Sequence, residues 1–500
     1  QNNIQGAAVR TPLVQLNVDL ADTEIYLKLE NLQPIGSFKL RGAYNRVRQL
    51  SDKEKAKGVV AASAGNHAQG LALAALKLGV KATIVMPKTT PEIKVNSVRE
   101  KGAKVVLLGD TFDEASEYAQ RLVKEKGMIY IPPYDDEGVI AGQGTVALEL
   151  LMQHTSPAHA VFVPVGGGGL IAGMAAYIKY VRPEIKVIGV EPEDAACLKA
   201  ALKHNRRVIL DEVGIFADGV AVRQIGKIPF EIAKECVDEV VTVSTDEICA
   251  AVKDIFDDTR AIAEPAGAIG VAGLKKYAQE RGIQGENLLT VISGANVNFD
   301  RLRYISERTE IGEKREVVLA VTLPEKPGSY KKFIQALDKR NITEFNYRFA
   351  HGYDAQVFVG VQISTGGNER EHVVSELRNQ GYPVEDMTDN EVAKLHIRHM
   401  VGGRSEGVGN EKVYRFEFPE RPGALMKFLN SLGTKWNISM FHYRNHGAAY
   451  SRVLMGVQLE NADQPKFESM LNKVGFRYWE ETQNKAYQMF LRGKNETTKE

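Results

Sequence analysis

Short apolar runs alternate with segments of helical character between about residues 55 and 300. The runs are almost continuously apolar and rich in β-branched side chains, as at residues 82–86, 160–165, 187–190 and 288–292. Strands of this composition are typical of parallel sheets that helices cover on both faces. Ligands of such sheets bind beyond the carboxyl ends of the strands. The loops that follow the apolar runs are therefore the first candidates for a functional site.

Composition and charge exclude several classes of partner. The chain has 500 residues, of which 44% are hydrophobic and 25% charged, and this allows two to four domains of an ordinary globular protein. With Lys+Arg 64 against Asp+Glu 63, no net field attracts nucleic acid or an anionic membrane. Three cysteines are too few for a disulfide framework, no apolar run reaches the length of a membrane span, and the first residues lack a signal-peptide pattern. We therefore expect a cytoplasmic protein without nucleic-acid or membrane partners.

The second half of the chain contains an internal repeat. Apolar segments that end in Pro327 and Gly328, and again in Pro422 and Gly423, match with an offset near 95 residues, as do the segments that follow them. Each copy predicts a strand, a Pro-Gly turn, a helix, two strands, a helix and a strand, because proline after a strand favours the first turn of a helix. The glycine-rich residues 401–407 between the copies are typical of a flexible linker.

One lysine stands between a turn and a helical segment. Lys39 follows a turn marked by Pro34 and Gly36 and precedes a run compatible with a helix. A lysine held in place in this way can form a Schiff base with an aldehyde cofactor. Considered alone, Lys39 is better explained as a surface lysine at a helix start, so the evidence for a cofactor has to come from the other loops.

A run of four glycines lies between the apolar residues 160–165 and a helical segment. The glycines are Gly166, Gly167, Gly168 and Gly169. Such a run lets several backbone N–H groups converge on a phosphate at a helix N-terminus. The spacing is neither that of a dinucleotide fingerprint nor that of a nucleotide P-loop, so neither NAD nor ATP is indicated. A merely flexible loop is the alternative, but glycine runs are costly to order without a ligand.

Two other loops at predicted strand ends carry polar side chains. The first consists of Ser63, Ala64, Gly65, Asn66 and His67. Its small residues expose backbone N–H groups at a helix N-terminus, which favours a carboxylate, although an ordinary strand–turn–helix capped by Asn66 would look the same. The second begins at Ser293, whose hydroxyl can bond a ring nitrogen, although it also fits a simple Ser-Gly turn. The segments 217–222 and 264–268 are weaker loop candidates.

The early lysine, the Ser-x-Gly-Asn loop, the tetraglycine loop and the late Ser-Gly-x-Asn loop, in this order, resemble the fold type II pyridoxal-phosphate enzymes over residues 8–305. The duplicated second half is similar to a pair of ACT-like regulatory domains, and the combination is similar to the biosynthetic threonine dehydratase family in its long form. The resemblance implies an α/β catalytic domain with two open twisted sheets covered by helices, followed by two α+β ACT-like domains. The implied bounds are 1–310, with a smaller subdomain near 36–139, then 315–400, 410–492 and a polar tail at 493–500.

The resemblance also implies a role for each candidate residue toward pyridoxal 5'-phosphate. Lys39 would hold the cofactor through a Schiff base, Phe38 would pack beside its ring, and Asn66 would bond its ring hydroxyl. Ser293 would face the pyridine nitrogen. The phosphate would be cradled by the backbone of Gly166, Gly167, Gly168, Gly169 and Leu170. The substrate carboxylate would be received by the loop of Ser63, Ala64, Gly65, Asn66 and His67.

The implied reaction is the elimination of water from L-threonine, which yields 2-oxobutanoate and ammonia as the first step of isoleucine biosynthesis. L-Serine would give pyruvate as a side activity. Burial beside the cofactor should lower the pKa of Lys39, so that its amine can act as the base at Cα. Related serine racemases carry a serine where this chain has Ala64, so elimination is expected to dominate over racemisation. An acidic metal ligand of those relatives is replaced by Cys197, six positions after Glu191, so no metal is expected.

Two alternatives remain beside this interpretation. One is a serine dehydratase or racemase of the same fold, and the other is an amino-acid sensor without catalysis, which would require a broken lysine or phosphate loop. Both loops are intact. The resemblance further implies a homotetramer that isoleucine inhibits and valine protects. Candidate effector residues are Pro327, Gly328, Tyr347, Pro422, Gly423 and Tyr443, although tyrosines on strands are also typical of a core.

Overall fold

The chain forms two compact units, Gln1–Asn298 and Phe299–Glu500. Their architecture is taken from a computed structural model. It describes residues 2–18, 20, 22–312, 316–324, 332–333, 336–337, 340, 342–346, 355–363, 368–399, 410–419, 428, 431, 436–444 and 450–492.

The first unit contains a six-stranded and a four-stranded sheet with helices around them. Its strands are β1 (Leu13–Leu16), β2 (Glu24–Lys28), β3 (Val59–Ala62), β4 (Ala82–Met86), β5 (Lys104–Leu107), β6 (Ile129–Tyr130), β7 (Ala160–Pro164), β8 (Lys186–Pro192), β9 (Glu239–Val243) and β10 (Asn287–Val291). Its helices are α1 (Lys39–Arg48), α2 (Asp52–Lys57), α3 (Asn66–Lys77), α4 (Glu92–Arg99), α5 (Phe112–Lys126), α6 (Glu137–Gln153), α7 (Gly169–Val181), α8 (Cys197–His204), α9 (Lys227–Cys236), α10 (Thr245–Thr259) and α11 (Pro265–Arg281).

The six-stranded sheet has the order β1-β2-β10-β7-β8-β9. Its neighbours pair in parallel except β1 and β2, which pair antiparallel. The prediction of parallel sheets is confirmed for the strands with continuous apolar runs, and β1, which lies before the predicted region, adds an antiparallel edge strand. Only residues 17–23 separate β1 from β2, which is too short a connection for the helical crossover that a parallel pair requires.

The four-stranded sheet has the order β5-β4-β3-β6 and is parallel throughout. Every residue of β3 is buried, because the strand lies between two neighbours and under helices. The carboxyl ends of neighbouring parallel strands share one edge of a sheet. The loops after β3 and β6 therefore meet, and so do the loops after β7 and β10.

Four buried charged side chains anchor the start of α1 and therefore the position of Lys39. The Nε atom of Arg41 lies 2.7 Å from Oε2 of Glu30, and its Nη2 atom lies 2.8 Å from Oε2 of Glu149. The Nζ atom of Lys28 lies 2.7 Å from the same Glu149 oxygen. Two cations thus meet two anions, which is the condition under which buried charges are tolerated. The cluster ties α1 to β2 and to α6.

The second unit begins with α12 (Phe299–Gly312) and contains two antiparallel four-stranded sheets. The first is formed by β11 (Glu316–Leu323), β12 (Ile342–Asn346), β13 (Ala355–Gln362) and β14 (Val384–Asp386), and the second by β15 (Glu411–Pro419), β16 (Asn437–Arg444), β17 (Tyr450–Gln458) and β18 (Arg477–Glu480). Their orders, β12-β13-β11-β14 and β16-β17-β15-β18, are the same along the chain. Both sheets also have a register shift at the equivalent place, after Ile342 and after Ile438. The predicted internal repeat is confirmed.

The two repeats share one apolar layer. Their further helices are α13 (Glu369–Asn379), α14 (Glu391–Leu395), α15 (Gln464–Val474) and α16 (Lys485–Phe490). The short helices α14 and α16, which follow the last strand of each copy, were not predicted. The layer combines Val318 and Phe358 of the first copy with Val413, Leu454 and Phe490 of the second. The rings of Phe358 and Phe490 meet edge to face at 5.7 Å.

The predicted α/β fold with two sheets and two appended α+β repeats is confirmed. The Pro-Gly turns of both repeats and the tail at 493–500 lie outside the described residues. Within the described part of the chain, no helix is both long enough and apolar enough to cross a membrane.

Candidate active site

Loops from both sheets of the first unit meet around the start of α1. The backbone N–H of Phe38 donates to the carbonyl of Ser293 at 3.2 Å, and the N–H of Ala295 donates to the carbonyl of Gly36 at 2.9 Å. These bonds tie the lysine loop to the loop after β10. The side chain of Asn66, the first residue of α3, reaches Glu264 at the start of α11 (2.7 Å). The predicted lysine, asparagine and serine loops therefore surround one place.

Lys39 is the first residue of α1, and its amine lies in a desolvated position. Its Nζ atom donates to the carbonyl of Pro133 at 2.9 Å and lies 5.3 Å from the centre of the Phe38 ring. The surrounding protein lowers the pKa of Lys39 to about 8, because burial disfavours the ammonium form, while the negative charge of Glu264 acts in the opposite direction. The expected lowering of the lysine pKa is present. At pH 7 about a tenth of the amine is then unprotonated, far more than for an ordinary lysine, and this fraction can act as a nucleophile or base.

The tetraglycine loop presents a row of unused backbone donors. Residues 166–170 are all buried, and within the described part of the chain none of their backbone N–H groups has a protein acceptor. Gly168 is the N-cap of α7 and adopts a φ of 90°, which favours glycine. A Cβ atom on Gly167 would lie 2.1 Å from Cδ1 of Tyr134, so a side chain there has no room. Buried N–H groups without partners are costly, and a helix N-terminus attracts anions.

The loop after β3 presents a second set of free donors. The backbone N–H groups of Ala64, Asn66 and His67 have no acceptor among the described residues, whereas that of Gly65 donates to Oγ of Ser63 at 3.3 Å. A Cβ atom on Gly65 would meet no atom within 4 Å, so the space in front of this helix N-terminus is open. The arrangement suits a carboxylate.

His67 is a structural part of this loop. Its Nε2 atom lies 2.8 Å from the carbonyl of Ile131, at the end of β6. Burial, together with the nearby charge of Lys39, lowers the pKa of His67 to about 3, so the imidazole is neutral at physiological pH. The ring therefore donates from Nε2 and joins the end of β3 to the segment that carries Pro133.

Asn66 lies in a chain of side-chain hydrogen bonds. Its Nδ2 atom donates to Oε1 of Glu264 at 2.7 Å, and its Oδ1 atom accepts from Nδ2 of Asn296 at 2.6 Å. The sequence had indicated Asn66 as a site residue, but the segment of Glu264 only as a weak loop candidate without a role. No local pattern in the sequence marks a contact between residues 198 positions apart.

Two further side chains, those of Ser293 and Cys197, donate to backbone carbonyls of neighbouring loops. The hydroxyl of Ser293 is buried and donates weakly to the carbonyl of Ala266 at 3.4 Å, which leaves its lone pairs available. The thiol of Cys197 lies 3.4 Å from the carbonyl of Gly166. The neighbouring carboxylate of Glu191 accepts from the backbone N–H groups of Leu198 (2.7 Å) and Lys199 (2.9 Å). The thiol of Cys197 is thus hydrogen-bonded to the glycine loop.

The comparisons with known proteins agree with this geometry. The family described as pyridoxal-phosphate dependent enzyme matches residues 4–294, and the C-terminal regulatory domain of threonine dehydratase matches residues 307–397 and 402–491. The biosynthetic L-threonine dehydratase of Burkholderia multivorans is 52% identical over 470 residues, which are 93% of this chain and 92% of that protein. The chain belongs to the biosynthetic threonine dehydratase family.

Other members of the threonine dehydratase family are equally similar along the chain. The Escherichia coli enzyme is 53% identical over 97% of this chain and 95% of its own length, and the mitochondrial threonine dehydratase of Saccharomyces cerevisiae is 49% identical over 94% and 84%. Among solved structures, threonine deaminase isoform 2 from Solanum lycopersicum has a TM-score of 0.61 and 46% identity, and covers 62% of this chain and 85% of its own. The serine racemase of Dictyostelium discoideum has a TM-score of 0.56 and 34% identity, and covers 60% and 96%.

The residues of the site fit the pyridoxal 5'-phosphate that this threonine dehydratase family uses. The glycine loop offers its free N–H groups to a phosphate, and Lys39 offers an amine with a lowered pKa close to the Phe38 ring. Asn66 and Ser293 supply polar atoms at the remaining sides. The individual roles of these residues remain predictions.

Of the six predicted effector residues of the threonine dehydratase repeats, the structure describes the backbone of one, Tyr443. Pro327, Gly328, Tyr347, Pro422 and Gly423 lie outside the described residues. Tyr443 lies on β16, where its backbone is paired with Val453 of β17. Their role toward effectors also remains a prediction.

Proposed function

We propose that this chain eliminates water from L-threonine and yields 2-oxobutanoate and ammonia. The carrying observation is the Lys39 amine, with its pKa near 8, which bonds the carbonyl of Pro133 next to Tyr134 of the glycine-loop contact, together with two separate sets of unused backbone N–H groups. One set suits the cofactor phosphate and the other the substrate carboxylate. A proton leaves Cα and a hydroxide leaves Cβ, which together are one water. The resulting enamine then takes up water and releases ammonia, so the atoms balance.

The chain's own residues bind the substrate and move the proton. Pyridoxal 5'-phosphate, when bound, supplies an electron-withdrawing ring that stabilises negative charge at Cα. The N–H groups of Ala64, Asn66 and His67, at the positive end of α3, hold the substrate carboxylate and so fix the direction of the Cα–H bond. Lys39 removes the Cα proton as the general base.

Elimination is favoured over racemisation because the opposite face lacks an acid or base. Ala64 has no titratable group, and the hydroxyl oxygen of Ser63 accepts a hydrogen bond from the N–H of Gly65. Racemisation requires a proton donor on the face opposite to Lys39. A serine racemase is among the structural neighbours, so racemisation is the rival activity that an experiment has to exclude.

The activity is tested with the purified, cofactor-loaded protein. We expect 2-oxobutanoate and ammonia in equal amounts from L-threonine, a slower release of pyruvate from L-serine, and no D-serine on a chiral column. Lys39→Ala should abolish release, whereas Lys77→Ala, which changes an exposed helical lysine, should not. Undiminished release by Lys39→Ala would exclude Lys39 as the base, and no release by the unmodified protein would refute the proposed activity.

We also propose a cytoplasmic homotetramer that isoleucine inhibits and valine protects. The match of both repeats to the regulatory domain of threonine dehydratase supports regulation by an amino acid. Activity measured over a range of isoleucine concentrations, with and without valine, tests the effectors. Light scattering of the eluting protein tests the tetramer. Activity that isoleucine leaves unchanged would contradict the regulation but not the catalytic proposal.

A further inference from the structure

Glu264 stands at the N-terminus of α11, but its side chain does not cap this helix. It is the N-cap residue of α11, yet its side chain makes no capping hydrogen bond. Instead, the carboxylate turns toward α3, and its Oε1 atom accepts from Nδ2 of Asn66 at 2.7 Å. The residue is only 4% exposed, and its backbone N–H donates to the carbonyl of Gly294 at 3.0 Å. A buried carboxylate is thus fixed against one particular amide.

The loop after β10 is shaped to admit this carboxylate. A Cβ atom on Gly294 would lie 2.2 Å from Oε1 of Glu264, so any other residue there would displace it. The N-terminus of α11 favours the ionised form through its positive end. The position of the carboxylate therefore depends on both the helix and the glycine.

The hydrogen bonds of Asn66 determine which of its amide atoms is oxygen and which is nitrogen. Asn296 donates from Nδ2 to the carbonyl of Ile35 at 2.8 Å, so the same nitrogen faces Oδ1 of Asn66 at 2.6 Å. On the other side, an ionised Glu264 can only accept. A flipped Asn66 would direct an oxygen at the carboxylate and an amino group at an amino group. Both ends of the amide thus exclude the flipped orientation.

We propose that Glu264 and Asn296 are positioning residues that hold the Asn66 amide with its amino group, rather than its carbonyl, available to the cofactor. This inference rests on the proposed role of Asn66 toward the ring hydroxyl. An amino group has two N–H bonds, of which Glu264 uses one. The second remains for an oxygen of the bound ring. In the flipped orientation, the oxygen of Asn66 would instead face the ring oxygen and repel it.

Glu264 has a second effect that separates it from Asn296. Its charge raises the pKa of Lys39 against the effect of burial. Glu264→Gln keeps an oxygen acceptor for Asn66 but removes this charge. Asn296→Asp keeps the shape of the side chain but presents an oxygen to Oδ1 of Asn66. One variant therefore changes mainly the charge, and the other mainly the amide orientation.

The test measures the dissociation constant of pyridoxal 5'-phosphate from the holoenzyme by ultrafiltration, with circular dichroism to verify folding. We expect Asn296→Asp to weaken binding about tenfold, which corresponds to ~1.4 kcal/mol. Glu264→Gln should weaken binding less, and the pH midpoint of the cofactor absorption should move to lower pH. Asn31→Asp is the matched control, because this buried asparagine bonds the carbonyl of Ile262 instead.

A double-mutant cycle decides whether Asn66 is the mediator. In an Asn66→Ala background, Asn296→Asp should cause no further loss of cofactor affinity. An equal loss with and without Asn66, or a loss no larger than that of Asn31→Asp, would overturn the proposal. These binding constants do not depend on turnover, so a failure of the threonine activity would leave their result distinguishable.

Discussion

Replacement of Arg41 by methionine should destabilise the first unit by about 3–5 kcal/mol, the usual cost of removing one partner from a buried ion cluster. Six hydrogen bonds would be lost: two to Glu30, two to Glu149, one to Thr145 and one to the carbonyl of Val9, at 2.7–3.3 Å. Methionine fills much of the same volume, so the loss is mainly one of charge compensation rather than packing.

The expected loss of stability in Arg41→Met is large because two buried carboxylates remain with a single cation. Lys28 would be the one remaining cation of the cluster beside the carboxylates of Glu30 and Glu149. The side chains of both glutamates are at most 3% exposed. Lysine at position 41 should restore only part of the stability, because an ammonium cannot form the paired bonds of a guanidinium. The same cluster holds α1, so cofactor binding at Lys39 should weaken along with stability.

Urea unfolding with two separate signals measures the effect. The absorbance of the bound cofactor reports on the first unit, whereas Trp436 and Trp479, the two tryptophans of the chain, report on the second. With an m value of about 3 kcal/mol/M, the cofactor signal should shift by about 1–1.7 M and the tryptophan signal should stay in place. Arg281→Met breaks an exposed pair with Glu239 and should cost less than about 1 kcal/mol. Equal shifts for Arg41→Met and Arg281→Met would refute the reasoning.

Three further results are expected. Gly167→Ala places a Cβ atom 2.1 Å from the Tyr134 ring and should weaken cofactor binding more than about tenfold in equilibrium titration; unchanged affinity would contradict the close packing. Because the pKa of Lys39 is lowered from 10.5 to about 8, the rate of cofactor capture by the apoprotein in stopped-flow absorbance should rise with pH and level off above about 8; a rise that continues to pH 10 would indicate an unperturbed lysine. Ala64→Ser adds a hydroxyl on the face that we propose lies opposite to Lys39, and it should produce D-serine from L-serine, detected by chiral chromatography; its absence would show that a hydroxyl at this position is insufficient.

Most of the strands that the sequence predicted in the first unit have both faces buried. The run of β3 is apolar at each position and buried at each position, so its composition alone identifies it. β6 has only two residues, and the four residues of β1 include the polar Gln15 and only one buried side chain, so neither strand forms a continuous apolar run. The single-face periodicity that would mark an edge strand requires more residues than these strands have.

The predicted site residues were those with a local signature. Glycines at a strand end, or a lysine after a turn, carry information in a few neighbouring positions. Glu264 and Arg41 carry none, because a charged residue in a sequence is normally assigned to the surface. Glu264 bonds Asn66 and Arg41 bonds Glu149, and each of these partners lies more than a hundred positions away in the sequence. Only the folded chain shows that these charges are compensated.

The apolar layer shared by the two repeats has a consequence for any shortened form of the chain. Val318 and Phe358 are covered by Leu454 and Phe490, so a chain cut between the repeats near residue 400 would turn this layer toward water. Such a fragment would present a contiguous apolar face, which promotes self-association. Each copy therefore provides the cover that keeps this apolar face of the other copy away from water.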